Sequence, residues 1–272
     1  MPDLNITPNV AQGRVFAVAN QKGGVGKTTT AINLSTALAA VGRRVLLFDL
    51  DPQGNASTGL GIDRTSIELG SYEILIDGAG LHDATLETEI PGLFLVSATA
   101  DLSGAELELV NANDREYRLT KAFEDCGRKY DYVVIDCPPA LGLLTLNALV
   151  AAQGVLVPLQ CEYLALEGLS QLVRTVDRVR NTFNSKLKLQ GIVLTMYDGR
   201  NKLSTLVAED VRSYFGELVY NTKIPRNVRV SEAPSHGRPV LIYDHQCVGA
   251  QAYIQLASEV LKREEGEKYE FT

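Results

Sequence analysis

The amino-acid sequence predicts an α/β fold, a doubly wound and mostly parallel sheet with helices on both of its faces. Two observations predict it. Short, nearly continuous apolar runs alternate along the chain with helical patterns, and strand–helix–strand order lays strands in parallel through right-handed crossovers. The first run passes straight into a glycine-rich turn and then a helix, a connection at which such sheets take up nucleotides, at the carboxyl ends of their strands.

The strand candidates are residues 14–19 (RVFAVA), 44–48 (RVLLF), 132–135 (YVVI), 154–158 (GVLVP) and 191–195 (GIVLT). Unbroken apolarity, rather than in–out alternation, is what a strand needs when both faces of its sheet are covered. Residues 28–41 read as a helix stopped by Gly42, since glycine readily takes the left-handed turn that ends a helix. Leu166, Leu169, Leu172, Val173, Val176, Val179 and Phe183 mark one face of a long helix, and residues 203–215 form another. Tyr253, Leu256, Ala257, Val260 and Leu261 stripe the last one.

Of 272 residues, 45% are hydrophobic and 22% charged, an ordinary globular balance. No linker-like or repetitive stretch divides the chain, so residues 14–272 are expected to form one domain behind a flexible tail, 1–13. The tail has neither a basic start nor an apolar segment, which argues against a signal peptide. The most apolar stretch, 148–159, is too short for a bilayer span and is interrupted by Gln153, Gly154 and Pro158. A soluble, cytoplasmic protein is expected. Cys126, Cys137, Cys161 and Cys247 form no Cys-x-x-Cys pair and have no neighbouring histidines, which argues against zinc and for buried small side chains.

Charge is unevenly spread. Residues 1–173 hold 11 Lys+Arg against 21 Asp+Glu, whereas 174–240 hold 12 against 6, within a net charge of −7. An acidic protein with one basic stretch can keep a surface for a polyanion. On composition alone, solvated helix faces are the simpler account.

Residues 15–39 (VFAVANQKGGVGKTTTAINLSTALA) carry the chemistry-bearing turn. Gly23, Gly24 and Gly26, with Val25 between them, can turn backbone N–H groups inward around phosphate oxygens at the positive end of the following helix. Lys27 suits the β- and γ-phosphates, the Thr28 hydroxyl suits Mg²⁺, and Thr29 follows in the same first turn. The common pattern G-x-x-x-x-G-K-[ST] would put glycine at position 21, but the chain has Gln21 with Lys22 beside it. A second lysine on one loop needs a purpose, because two close cations repel.

Two further segments place carboxylates at strand ends. Asp49 and Asp51 leave the second strand in 49–61 (DLDPQGNASTGLG), and chain leaving a strand can aim both side chains at one site. Asp51 before Pro52 also suits a simple turn. Asp136 follows four apolar strand residues in 132–137 (YVVIDC), as a carboxylate that holds the hydration shell of Mg²⁺ would.

The run K-G-G-V-G-K-T resembles the deviant Walker A loop of the P-loop NTPase family that includes ParA, MinD, the nitrogenase iron protein and the arsenical-pump ATPase. The resemblance extends over residues 14–262, through 95–110 (LVSATADLSGAELELV), 136–149 (DCPPALGLLTLNAL), 158–172 (PLQCEYLALEGLSQL), 194–203 (LTMYDGRNKL) and 224–244 (IPRNVRVSEAPSHGRPVLIYD), to chromosomal ParA ATPases of the Soj type. It implies that Lys22 reaches the nucleotide of a partner subunit, as a cation supplied in trans. Lys27 and Asp51 are then catalytic, with Asp51 orienting or deprotonating the attacking water, and Asp49 lies near Mg²⁺ and a switch region. The resemblance further implies an adenine pocket near Met196, Pro225 and Asn227, and non-specific DNA contacts by Arg200 and Arg229, with Lys202 and Arg226 as lesser candidates. A salt bridge from Arg229 to Glu232 or Asp244 is the competing account of that arginine.

The implied activity is a slow Mg²⁺-dependent ATPase that dimerises with ATP, coats the nucleoid and answers to a ParB-type centromere-binding partner. Relatives with other work fit less well. A MinD-like membrane cycler needs an amphipathic carboxy-terminal helix, whereas residues 261–272 (LKREEGEKYEFT) carry no apolar stripe beyond Leu261. A cluster-bearing relative needs paired cysteines, and Cys137 has no suitable companion. Plasmid relatives that repress transcription carry an amino-terminal DNA-binding domain, which residues 1–13 are too few to form.

Overall fold

In a computed structural model the described residues are 13–124, 129–163 and 165–270. All of the expected tail except Gly13, together with Cys126, lies outside them. Among the described residues eight strands form one sheet: β1 (Arg14–Val18), β2 (Val45–Asp49), β3 (Thr85–Glu87), β4 (Leu93–Val96), β5 (Tyr132–Asp136), β6 (Gly154–Gln160), β7 (Lys188–Tyr197) and β8 (Val219–Pro225). Their order is β3-β4-β2-β5-β1-β6-β7-β8. Neighbours pair in parallel except β3 with β4, so the doubly wound, mostly parallel sheet is present.

The five predicted strands are the five contiguous central ones, β2, β5, β1, β6 and β7. Their runs are apolar because side chains on both faces are covered. In β1, Val15 and Ala17 enter one core layer while Phe16 and Val18 enter the other. The first layer is filled by Leu102 and Leu109, by Leu144, Ala148 and Leu149, and by Leu169, Leu172, Val176 and Val179 of the helix Ala165–Thr182. The second is filled by Ala31, Leu34 and Leu38 of the helix Lys27–Ala40, and by Tyr253, Leu256 and Val260 of the helix Val248–Glu270. Each such leucine or valine, fully buried, contributes about 1.5–3 kcal/mol. The layers sandwich the sheet, and the loops that leave the carboxyl ends of its parallel central strands lie along one rim.

The three strands that the sequence did not predict lie at the margins. β3 has three residues and β4 four, lengths at which no periodicity can register. β8 (VYNTKIP) mixes polar and apolar residues because it is an edge. Its exposed side is partly covered: the N–H groups of Asn221 and Thr222 donate to the Glu259 carboxylate at 2.8 and 3.0 Å. Helix boundaries agree with the sequence to within a residue or two at 27–40, 165–182 and 202–215.

Candidate nucleotide-binding site

The loop between β1 and the helix Lys27–Ala40 is built from glycine conformations. Gly24 (φ 74°) and Gly26 (φ 86°) occupy the left-handed region, where side-chain-bearing residues are strained. Gly26 caps the helix, and its carbonyl accepts from Thr30 N–H at 2.9 Å. The loop is pinned from below: Asn20 Nδ2 donates to the Pro158 carbonyl (2.7 Å) and the Thr195 hydroxyl to the Val25 carbonyl (2.8 Å). Gly23 and Gly24 face solvent, Val25 is buried, and Thr28 and Thr29 are half-buried in the first helical turn.

Lys27 is buried, and its ammonium donates to the Lys22 carbonyl at 3.2 Å. Burial lowers its pKa, opposed by the charges of Asp136 and Asp51. Parallel register sets the carboxylates: Asp136 lies beside Val18 on one side and Asp49 on the other. Asp49, fully buried, accepts from Ser57 N–H (2.9 Å) and the Ser57 hydroxyl (2.6 Å) on one oxygen and from Asp51 N–H (3.3 Å) on the other. Burial still raises its pKa to about 6, Ser57 working against the rise. Ser57 is held in turn by the Ser97 hydroxyl at 3.0 Å. Asp51 accepts from Gln53 N–H at 3.0 Å through one oxygen, a turn contact of the kind its position before Pro52 suggests.

Asp136 differs from both. It is fully buried, and neither of its oxygens has a hydrogen-bond partner of normal geometry among the described residues. Its pKa is raised well above the ordinary carboxylate range, first by burial and then by Asp49, with the nearby Thr28 side chain and Lys27 pulling the other way. An orphaned buried carboxylate beside a threonine hydroxyl and a phosphate loop is what a cation needs from the protein. Among the described residues no three His, Cys, Asp or Glu form a metal cage. Mg²⁺ binds through one or two protein oxygens with water and substrate phosphates completing its shell, and the Asp136 carboxylate beside Thr28 fits that demand.

A pH dependence follows. The folded-state pKa of Asp136 lies above its unfolded value, so its stabilising contribution is complete below about pH 4 and is lost as pH rises through the folded value. Asp136→Asn is therefore expected to melt higher than the parent at pH 8, with the gap closing toward pH 4. Each kcal/mol of relieved repulsion is worth about 2–4 °C in a chain of this size. The added stabilisation by Mg²⁺ with ATP should disappear. Thermal melts with and without Mg²⁺·ATP measure both, and an unchanged magnesium response in the variant would refute the assignment.

Lys22, exposed at the rim, forms an ion pair with Glu162 of its own chain, and Gln160 donates to the same carboxylate. Sequence reasoning misses Glu162, which is distant along the chain and carries no local signal. Ser57, Ser97 and Thr195 escape it for the same reason. Cys137 and Cys161 are buried free thiols, as expected, whereas Cys247 is half-buried. Burial pushes the Cys161 thiol up to about 11 and the Cys137 thiol higher still.

The segments expected to hold the base meet. Tyr197 pairs with Pro225 in the β7–β8 register, and Arg226 N–H donates to the Tyr197 carbonyl at 3.1 Å. Met196 adopts φ 49°, strained for a non-glycine residue. Asn227 caps the short helix Val228–Glu232, accepting from Val230 N–H at 3.3 Å. The basic residues gather at the same end of these two strands. Arg200 faces solvent yet forks onto Asp198 with two 3.0 Å bonds, holding that carboxyl down at about 2. Arg226 adds to the positive field there, and Lys202 opens the helix Lys202–Phe215, both exposed. Arg229 is paired with Glu232 (3.0 Å) and Asp244 (3.5 Å), the competing partners that the sequence offers.

Among the described residues no helix is long and apolar enough to cross a membrane. A family model described as an AAA domain matches residues 13–189. The chain is 61% identical to the chromosome partitioning protein ParA of Caulobacter vibrioides, over 92% of this chain and 95% of that protein. It is 53% identical to the sporulation initiation inhibitor protein Soj of Bacillus subtilis, over 91% and 98%. A crystal structure described as cobyrinic acid a,c-diamide synthase from Mycobacterium smegmatis with bound ADP and magnesium is 41% identical, with a TM-score of 0.82 over 93% of this chain and 96% of that one. The loop, the strand-end carboxylates and identities of this extent together establish that the chain belongs to the ParA/Soj family of chromosome-partitioning ATPases.

Proposed function

We propose that the chain is an ATP-dependent dimerising switch with weak Mg²⁺-ATPase activity, which binds DNA without sequence preference and segregates chromosome origins together with a ParB-type partner. The observation that carries this reading is the site's composition: a buried lysine and an orphaned buried carboxylate below a glycine loop, with a second lysine exposed on the rim. The buried pair is enough for one nucleotide. In this reading the exposed one serves a neighbour's nucleotide.

In this reading the N–H groups of Gly23, Gly24, Val25 and Gly26 surround the phosphates, and Lys27 neutralises the β- and γ-oxygens. Thr28 and Asp136 hold Mg²⁺, which when bound withdraws charge from the terminal phosphate. Asp51 accepts a proton from, or orients, the attacking water, while Thr29, Asp49, Met196, Pro225 and Asn227 complete the pocket. Each subunit gives Lys22 to the other's nucleotide, so loss of the terminal phosphate loosens the pair.

DNA binding follows from the pairing. Arg200, Lys202, Arg226 and Arg229 make a modest patch, and two patches roughly double the phosphates neutralised. Log affinity scales with that number. The carboxylates now holding Arg200 and Arg229 are weak competitors, because water screens exposed ion pairs and they contribute little. Arg229→Glu should dimerise normally with ATP but fail to retain DNA, and its salt slope should fall by about one or two, one for each phosphate that the arginines of a dimer no longer neutralise. An unchanged salt-dependent affinity would return Arg229 to its intramolecular role.

Sedimentation of the apo, ADP and ATP forms, each with and without a short random duplex, tests the whole scheme. Dimers and DNA complexes are expected with ATP alone. Retention on anionic liposomes but not on DNA would favour a membrane-cycling function instead.

A further inference from the structure

We propose that Arg64 is a positioning residue for hydrolysis, which fixes the loop carrying Asp51 by clamping it to the segment that follows β4. Its guanidinium donates to four backbone carbonyls: Nε to Ala98 (2.8 Å), Nη1 to Gln53 (2.6 Å), and Nη2 to Pro52 (3.0 Å) and Thr99 (3.3 Å). Among the described residues no carboxylate pairs with it. A charged fork directed wholly at main chain holds geometry, because its donors are rigidly coplanar.

The clamp lies two hydrogen bonds from the Asp51 carboxylate. Gln53 presents its carbonyl to Arg64 and its N–H to Asp51 (3.0 Å), so the same residue is gripped from both sides. Gly54 completes the turn at φ 63°, and a Cβ there would run into the guanidinium, so the close approach depends on glycine as well. On the far side Ala98 donates its N–H to the Ser57 hydroxyl (3.2 Å), which bonds Asp49. Arg64 thus closes a frame around both strand-end aspartates while touching neither.

The inference rests on the assignment of Asp51 to the attacking water, and its test separates the two. Arg64→Lys keeps the charge and the stem but cannot span four carbonyls; Arg64→Met keeps only the stem. Steady-state ATP turnover and the affinity for a fluorescent ADP are measured for both, alongside Asp51→Ala. A displacement of about 1 Å at the attacking group can cost up to about 100-fold. The expected result is a kcat lowered about 10–100-fold, with KM for ATP and ADP affinity within about twofold and no rescue by lysine. Because a smaller folded fraction would also lower turnover at unchanged KM, kcat is referred to the active sites titrated by the fluorescent ADP, and a deficit per titrated site is what a merely structural role would not produce. Turnover within twofold of the parent in Arg64→Lys, or an equal loss of ADP affinity, overturns the inference; should Arg64→Met fail to fold, Arg64→Lys decides. If Asp51→Ala is inactive while the Arg64 variants are not, Arg64 alone is misassigned. If Asp51→Ala turns over normally, the assignment of Asp51 falls and takes this inference with it.

Discussion

Lys22→Ala should lower ATP turnover about 10³-fold or more and leave the ATP-loaded protein monomeric, with ADP affinity within about twofold. The size follows from cations supplied in trans to a transferring phosphoryl group, which are worth about 10³–10⁵ in rate. In the structure Lys22 is already engaged, by Glu162. Both side chains of that pair are about half exposed, 48% and 45%, so water screens it and its worth is at most about 1 kcal/mol. A triphosphate on an apposed subunit, shielded from solvent, competes easily. ADP binding draws on the backbone loop and Lys27, which the substitution leaves in place. Turnover assays and sedimentation measure the two effects. An alanine variant that still dimerises with ATP would remove Lys22 from the interface.

Asp51→Ala carries the second largest effect, a loss of turnover of about 10²–10⁴-fold with ATP-dependent dimers and DNA binding retained. The three buried carboxylates of the site are not equivalent. Asp49 is occupied through both oxygens, by Ser57 and by Asp51 N–H. Asp136 sits beside Thr28 and suits a metal shell. Asp51 accepts one hydrogen bond on one oxygen, from Gln53, and can offer the other to a water. Removing it should trap the loaded state rather than prevent its formation. A variant that is monomeric with ATP would show that Asp51 builds the site instead of acting in it.

Much of this is legible in the sequence, for identifiable reasons. Covered central strands must be apolar throughout, so β1, β2, β5, β6 and β7 announce themselves, and a glycine loop between strand and helix can be read from a dozen residues. Asp49, Asp51 and Asp136 are visible because strand ends aim side chains at the rim. What escapes depends on partners distant along the chain. Glu162 meets Lys22 across 140 residues, and Arg64 binds Ala98 across 34. Neither has a spacing that marks it. The ion pairs of Arg200 and Arg229 are local, and the second is foreseeable because Glu232 stands three residues on.

The margins of the sheet have a consequence for behaviour at high density. Open strand edges template fibres when many copies are brought close. Here one border is a three-residue antiparallel strand ending in Glu87, and the other has two amides capped by Glu259. Borders this short or capped leave crowded copies little open edge to pair through, which works against irreversible β-aggregation.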